Sequence, residues 1–118
     1  MSYYASTQAL IGNTPLVRLI HEDLPEGAQL FAKLELFNPS GSVKDRTGKY
    51  MIDDAERRGL LKQGGTIVEG TAGNTGLGIA FAALGKGYRV IFAVPTKFSE
   101  EKQMLLRALG AEIVNTPR

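Results

Sequence analysis

Two short stretches of the sequence hold residues whose types and spacing could do chemistry. The first, NPSGSVKDR, puts Lys44 at the start of a predicted helix, where the helix dipole disfavours an ammonium by about 0.3–1 kcal/mol. Such a lysine either lies at a solvated edge or is buried, where an amine loses its proton more easily. A neutral amine is a nucleophile that can form a Schiff base with a carbonyl compound.

The second stretch, EGTAGNTGLG, follows a predicted strand and opens a predicted helix. Backbone N–H groups at such a helix start bind anions such as phosphate or carboxylate. Its four glycines follow neither the G-x-G-x-x-G dinucleotide pattern nor the Walker A pattern. Thr71, Asn74 and Thr75 add polar side chains to the turn. The alternative is a tight turn that needs glycine only for its backbone.

Together, a nucleophilic amine and an anion-binding turn suit a carbonyl cofactor and a carboxylate-bearing substrate. The charged residues that follow Lys44 have simpler interpretations. Asp45 is expected to partner the helix dipole in the first turn, and Arg46 to form a surface or inter-element ion pair. His21 stands in a polar loop and is expected to be solvated.

Length and composition are those of an ordinary globular protein. The chain has 118 residues, 43% of them apolar and 22% charged, with a net charge of +2. Acidic and basic residues are mixed along it, which argues against a nucleic-acid-binding surface. The absence of cysteine excludes disulfides and thiolate chemistry, and with a single histidine we expect no metal site.

The N-terminus lacks the basic start and apolar run of a secretory signal. No window approaches the ~20 apolar residues of a membrane helix. We therefore expect no membrane association and a cytoplasmic location.

The elements that must position these residues begin with a short helix, two strands and a longer helix. The short helix is predicted over 5–11, and the strands over 16–19 and 28–36. The second strand alternates apolar and polar residues. The longer helix is predicted to start at Ser42, with Asp45 completing a capping box, and to run to about Gly59.

The second half of the sequence has a regular β-α-β-α-β rhythm. The strands are TIVEG, RVIFAVP and AEIVNT, and the helices are TGLGIAFAALGKG, apolar nearly all round, and EEKQMLLRALG, capped by Ser99. This order predicts a parallel α/β sheet with right-handed crossovers and RVIFAVP as a central strand. Three strands are few for such a sheet, so we expect a fragment, or a second chain that supplies the rest.

Three motifs, IGNTPLVRL, KLELFNPSGSVKDR and TAGNTGLGIA, occur in this order. They resemble the N-terminal part of the cysteine synthase and cystathionine β-synthase family, the second fold type of pyridoxal-phosphate enzymes. The resemblance covers essentially the whole chain, although such enzymes are much longer. It implies an incomplete parallel β-α-β sheet, with residues 1–36 belonging to the larger domain and 37–118 forming most of a small mobile domain.

The resemblance also implies the roles of individual residues. Lys44 would hold pyridoxal 5′-phosphate covalently and, once displaced by the substrate, would remove its Cα proton. Asn74 would hydrogen-bond the cofactor's ring oxygen. The substrate's α-carboxylate would be bound by the turn residues Thr71, Ala72, Gly73, Asn74 and Thr75.

Two features bear on how this chain would fit the family pattern. The more common loop has a serine where this sequence has Ala72, so backbone donors would replace one hydroxyl contact. The family's phosphate-binding loop and the residue that faces the pyridine nitrogen would lie beyond Arg118.

The implied reaction is β-replacement on an amino acid. O-acetylserine would lose acetate, or serine would lose water, and sulfide would add to give cysteine. The near alternative adds homocysteine and gives cystathionine. A second alternative is a non-catalytic fragment, or one half that complements another. The implied partners are the amino acid, sulfide or a thiol, and a second subunit in a homodimer, with no nucleic acid and no membrane.

Overall fold

The computed structural model describes residues 3–20, 23–71 and 73–117 and has an α/β fold. The strands and helices are β1 Leu16–Leu19, β2 Leu30–Lys33, α1 Lys44–Arg57, β3 Thr66–Glu69, α2 Asn74–Ala83, β4 Arg89–Pro95, α3 Glu100–Ala108 and β5 Glu112–Thr116. Strands β1 and β2 form an antiparallel pair, and β3, β4 and β5 form a parallel sheet in that order. His21, Ala72 and Arg118 lie outside the described residues, so the expectations for them stay predictions.

The predicted β-α-β-α-β order of the second half is confirmed. Strand β4 is central and pairs in parallel with β3 on one side and with β5 on the other. Helix α2 packs against β4, and α3 packs against β5. The continuous apolar run of β4 fits this position because a central parallel strand is covered on both faces.

Most of the core lies between the parallel sheet and its helices. Phe92 and Val94 of β4 are fully buried, and Ile79 of α2 and Leu106 of α3 are 1% exposed. Helix α2 is buried on nearly all sides, as its uniformly apolar sequence predicted. Burial of each large side chain contributes about 1.5–3 kcal/mol, so these contacts hold α2 firmly on the sheet.

The opposite face of the sheet is more open. Val68 and Val114, the neighbours of Ile91 and Ala93 across the strands, are 65% and 53% exposed. Ile91 and Ala93 themselves are half-buried. Since parallel sheets are normally covered on both faces, these three strands present an apolar surface.

The predictions for the first half need correction. The predicted helix over 5–11 is a 3₁₀ turn at Thr7–Leu10. The strand predicted over 28–36 spans only Leu30–Lys33, and a second 3₁₀ turn follows at Glu35–Phe37. The alternating pattern failed there because the side-chain amide of Asn38 donates to the Glu35 carbonyl, which stabilises a turn instead of an extended strand.

Helix α1 begins at Lys44 rather than at Ser42, and the predicted capping box is wrong. The Ser42 Oγ accepts a hydrogen bond from the Lys44 backbone N–H at 3.0 Å. The Asp45 carboxylate instead accepts hydrogen bonds from the backbone N–H of Ser40, at 2.7 Å, and from its hydroxyl. Ser99 stands at the cap position of α3, but its side chain makes no capping hydrogen bond.

Candidate functional site

Lys44 is the first residue of α1, and its side chain is exposed. Within the part of the chain that the structure describes, Lys44 therefore lies at a solvated edge. The burial that the argument for a neutral amine requires is not present there. Its backbone is nevertheless held at both ends. The N–H donates to Ser42 Oγ, and the carbonyl faces α2.

The crossing of α1 and α2 brings the two candidate stretches together. A Cβ at Gly78 would lie 2.2 Å from the Lys44 carbonyl oxygen, and one at Gly48 would lie 2.3 Å from the Gly78 carbonyl carbon. The two helices therefore touch backbone to backbone. Asn74 lies one helical turn, about 6 Å of rise, before Gly78, so the polar turn begins beside the start of α1.

The turn residues lie at the N-terminus of α2. Gly73 is the residue before the helix, and Asn74 is its first residue. The Thr71 Oγ1 accepts a hydrogen bond from the Gly73 N–H at 3.4 Å. Asn74 is exposed, and Thr71 and Thr75 are half-buried. The first backbone N–H groups of a helix have no partner within it and carry the positive end of its dipole, so the turn can accept an anion.

The conformation of the glycines bears on the alternative interpretation of this turn. Gly73 has φ −101°, which other residues readily adopt, and no described atom lies within 4 Å of the position of a Cβ there. Gly70 likewise does not have a positive φ, and the space around the position of a Cβ is open there too. At these two positions the interpretation of a turn that needs glycine for its backbone is wrong. A side chain at either position would project into open space.

Asp45 is fully buried, and its carboxylate accepts both of its hydrogen bonds from Ser40. It lies in the first turn of α1, as the dipole interpretation predicted. The sequence did not reveal its second role, which is to close the loop before Lys44 onto the helix. Lys44 therefore follows a loop of defined geometry.

The prediction of an inter-element ion pair at Arg46 is confirmed. Its Nε and Nη2 donate to the two carboxylate oxygens of Glu35, each at 2.9 Å. The Arg46 hydrogen bond, which outweighs partial desolvation, lowers the pKa of Glu35 to about 2, and Thr14, Asn38 and the charge of Arg46 act in the same direction. The same hydrogen bond raises the pKa of Arg46.

Three further residues complete this network. The Arg46 Nη2 also donates to the Gly12 carbonyl at 3.0 Å and to Thr14 Oγ1 at 3.1 Å. Glu35 accepts hydrogen bonds from the Thr14 hydroxyl and the Asn38 amide, each at 2.8 Å. Thr14 and Asn38 are 6% and 4% exposed. We call Gly12, Thr14, Glu35, Asn38 and Arg46 the Arg46 network.

Sequence reasoning assigned no role to the first four members of this network. They occur within the quoted motifs, but their residue types alone carry no signal of a shared site. Only the folded chain, which joins residues far apart in sequence, brings them together.

Two further structural features concern the described residues. No helix among them combines the length and the apolar character needed to cross a membrane. In the same ranges no group of three or more His, Cys, Asp or Glu side chains is arranged to hold a metal ion.

The sequence matches one protein family over residues 7–118, the family described as "Pyridoxal-phosphate dependent enzyme". The O-acetylserine dependent cystathionine β-synthase of Bacillus subtilis (strain 168) is 52% identical over 118 residues. That alignment covers all of this chain and 38% of the relative. The chain thus spans well under half the length of this relative.

Solved structures of similar proteins have the same fold over the length of this chain. The cystathionine β-synthase from Bacillus anthracis superimposes with a TM-score of 0.86 and 57% identity, covering 99% of this chain and 44% of that one. The cysteine synthase from Entamoeba histolytica gives a TM-score of 0.88 and 42% identity, covering 98% of this chain and 36% of that one. The fold is therefore part of the larger fold that these structures have.

Proposed function

The chain belongs to the pyridoxal-phosphate dependent enzyme family, and on this premise we propose that Lys44 and the turn 71–75 form one side of a site for pyridoxal 5′-phosphate and an amino acid. The observation that carries the proposal is the backbone contact of Gly78 with Lys44, because it brings the amine and the anion-accepting turn onto adjacent helix starts.

The donor set suits such a ligand. A primary amine on an exposed side chain can bond covalently to an aldehyde. The N-terminus of α2 offers backbone N–H groups to a carboxylate, and the open space at Gly73 lets a ligand approach them. Asn74 is exposed at the same helix start and can hydrogen-bond a ring oxygen.

We propose a separate role for Lys44 and for the residues of the turn 71–75. Lys44 Nζ holds the cofactor and later takes the proton from the substrate's Cα. The backbone at Gly73, Asn74 and Thr75 binds the α-carboxylate, with the Thr71 and Thr75 hydroxyls beside it. At Ala72 the backbone alone would contribute. When bound, pyridoxal phosphate supplies an electron sink for the negative charge that develops at Cα.

We propose β-replacement as the reaction of the protein to which this chain belongs, with cysteine formed from O-acetylserine or serine and sulfide. Formation of cystathionine from homocysteine is the alternative. The names of the relatives support both, since they include O-acetylserine dependent cystathionine β-synthase and cysteine synthase. We further propose that residues 1–36 join a larger domain and that 37–118 form most of a smaller one, and the separation of the β1–β2 pair from the parallel sheet β3–β4–β5 supports this division.

The decisive experiment is borohydride reduction of the protein after incubation with pyridoxal phosphate, followed by peptide mapping. We expect the label on Lys44. Lys44→Ala should abolish both the label and the visible absorption, whereas Lys49→Ala, a matched change on the same helix, should retain them. A label on another side chain would overturn the proposal.

A second measurement separates an enzyme from a non-catalytic fragment. The mass of every chain present and the visible spectrum are recorded on the purified protein. A colourless 118-residue species that stays folded would support the fragment or complementing half. A protein that binds the cofactor is then assayed with O-acetylserine against serine and with sulfide against homocysteine, which decides between the two reactions.

A further inference from the structure

We propose that Arg46, through the Arg46 network, is a positioning residue that fixes the backbone of Lys44 against residues 1–36, which we call the leading segment. This inference rests on the function proposed for Lys44. Among the described residues, the hydrogen bonds of the Arg46 side chain all go to Gly12, Thr14 and Glu35, and none goes to the proposed site. On a helix with 3.6 residues per turn, side chains two residues apart point about 200° apart, so Arg46 faces away from the side on which Lys44 is exposed.

The network is the hydrogen-bonded link between α1 and the beginning of the chain. Among the described residues, every hydrogen bond that joins α1 to a residue before Asn38 comes from the Arg46 guanidinium. Its partners are the Gly12 carbonyl, the Thr14 hydroxyl and the Glu35 carboxylate. The pair Arg46–Glu35 also spans the proposed boundary between residues 1–36 and 37–118.

The members of the network bind one another as well as Arg46. Glu35 uses both oxygens for Arg46 and also accepts from Thr14 and Asn38. The Asn38 Oδ1 accepts from the Gly12 N–H at 2.9 Å. A bidentate arginine–carboxylate pair has a fixed geometry that an ammonium cannot reproduce. Loss of the bidentate pair between Arg46 and Glu35 should therefore loosen the first turn of α1.

Lys44 is then held from three directions. The Arg46 network fixes α1 to the leading segment, the buried pair Asp45–Ser40 closes the preceding loop, and Gly78 contacts the Lys44 carbonyl. In the described ranges, the Arg46 guanidinium alone joins α1 itself to the leading segment by hydrogen bonds, whereas α2 is joined to that segment separately, through the side-chain amide of Gln8, which donates to the Phe81 carbonyl at 3.1 Å. Small displacements of a reacting group can cost about 100-fold in rate, so this support should be visible in the chemistry of Lys44.

The test compares Arg46→Lys with Arg89→Lys in the protein as purified. Arg89 forms an equally bidentate pair with Glu112, at 2.6 and 2.7 Å, but joins β4 to β5 away from α1. The first readout needs no cofactor: amide hydrogen exchange at Lys44 and Asp45. We expect exchange at least about tenfold faster in Arg46→Lys, because charged hydrogen bonds are lost, and unchanged exchange in Arg89→Lys.

The second readout is the rate at which pyridoxal phosphate becomes reducible onto Lys44, together with the spectrum of the bound cofactor. We expect Arg46→Lys to slow labelling about tenfold or more. We also expect it to lower kcat with little change in KM, since the Arg46 side chain faces away from the proposed substrate site. The double variant Arg46→Lys/Glu35→Gln should be no worse than the single one, because partners in one network are not additive.

Three outcomes are decisive. Unchanged exchange at Lys44 and Asp45 in Arg46→Lys would overturn the positioning role, whatever the cofactor result. Faster exchange with a wild-type labelling rate and spectrum would overturn it too and leave Arg46 as purely structural. Exchange could be faster in Arg46→Lys while borohydride labels the unmutated protein on a residue other than Lys44. That result would support the link between Arg46 and α1 but refute the proposed function.

A second variant covers the case in which Arg46→Lys does not fold. Thr14→Val removes only the hydroxyl that bridges Glu35 and Arg46. It should increase exchange at Lys44 in the same direction but by less, and wild-type exchange in it would count against the proposal.

Discussion

Gly78 lies directly against the Lys44 carbonyl, so that a Cβ at position 78 would stand 2.2 Å from that oxygen. The contact joins backbone to backbone and cannot be relieved by rotation of a side chain. It ties the start of α1 to the first turns of α2, and hence the candidate lysine to the candidate carboxylate-binding turn. The glycines at this crossing are required by close approach, not by an unusual φ.

Gly78→Ala and Gly48→Ala should therefore each force the two helices apart. We expect the free energy of unfolding to fall by about 1–3 kcal/mol or more, as for other overpacked sites. Gly76→Ala is the matched control, because the nearest atom to its Cβ is the Thr71 methyl at 3.1 Å, and alanine favours the helix by about 1 kcal/mol. Equal urea midpoints for Gly78→Ala and Gly76→Ala would contradict the crossing geometry.

Gly73→Ala tests whether glycine is used for access to the turn. Both φ and the surrounding space allow alanine, so stability should stay within about 1 kcal/mol of the original. The added methyl would obstruct an anion approaching the N–H groups, and we expect the affinity for the amino-acid substrate to fall about tenfold, or about 1.4 kcal/mol. Spectral titration of the cofactor-loaded protein measures it.

Gly70→Ala is the matched control for that change, because position 70 has the same open space and lies outside the segment 71–75. Its substrate affinity should remain that of the original protein. Should Gly73→Ala bind substrate as tightly as Gly70→Ala, the carboxylate site would have to be placed elsewhere.

The second half of the fold was predictable because its signals are local. The uniform apolarity of β4 and α2 identified a central strand and a buried helix. The turn at Glu35–Phe37 escaped prediction because Leu30, Ala32 and Leu34 continue an alternation into Leu36, while the feature that ends it is a side-chain hydrogen bond of Asn38.

The candidate site divides in the same way. Lys44 and the turn are candidates because of their residue types and the family resemblance, and their roles stay predictions. The support around them could not, since the Ser40 partner of Asp45 and the Gly12, Thr14 and Glu35 partners of Arg46 follow from the folded path of the chain. The sequence left two positions open for Lys44, a solvated edge or a buried site, and the described residues leave it exposed.

Asp45→Asn should loosen the loop before Lys44. The fully buried carboxylate accepts two hydrogen bonds from Ser40, and a neutral amide replaces these charge-assisted hydrogen bonds with weaker ones. We expect a loss of about 1–3 kcal/mol in the free energy of unfolding, measured by urea denaturation. Asp54→Asn is the control: its ion pairs with Arg57 and Arg58 are exposed and contribute about 0–1 kcal/mol. A smaller loss for Asp45→Asn than for Asp54→Asn would contradict this role.

The depressed pKa of Glu35 should make stability depend on pH. The folded value is about 2 and the ordinary value 4.5, so the unfolded chain binds this proton more readily. The contribution of Glu35 is therefore complete above about pH 4.5 and is lost progressively as the pH falls towards about 2. Urea midpoints across this range should decline less steeply in Glu35→Gln, although that variant starts from lower stability.

Glu112, whose pKa is lowered by the more exposed Arg89, offers the comparison: Glu112→Gln should flatten the decline by less, because solvent screens that pair. If Glu35→Gln keeps the full decline, the carboxylate of Glu35 is not held by Arg46 in solution.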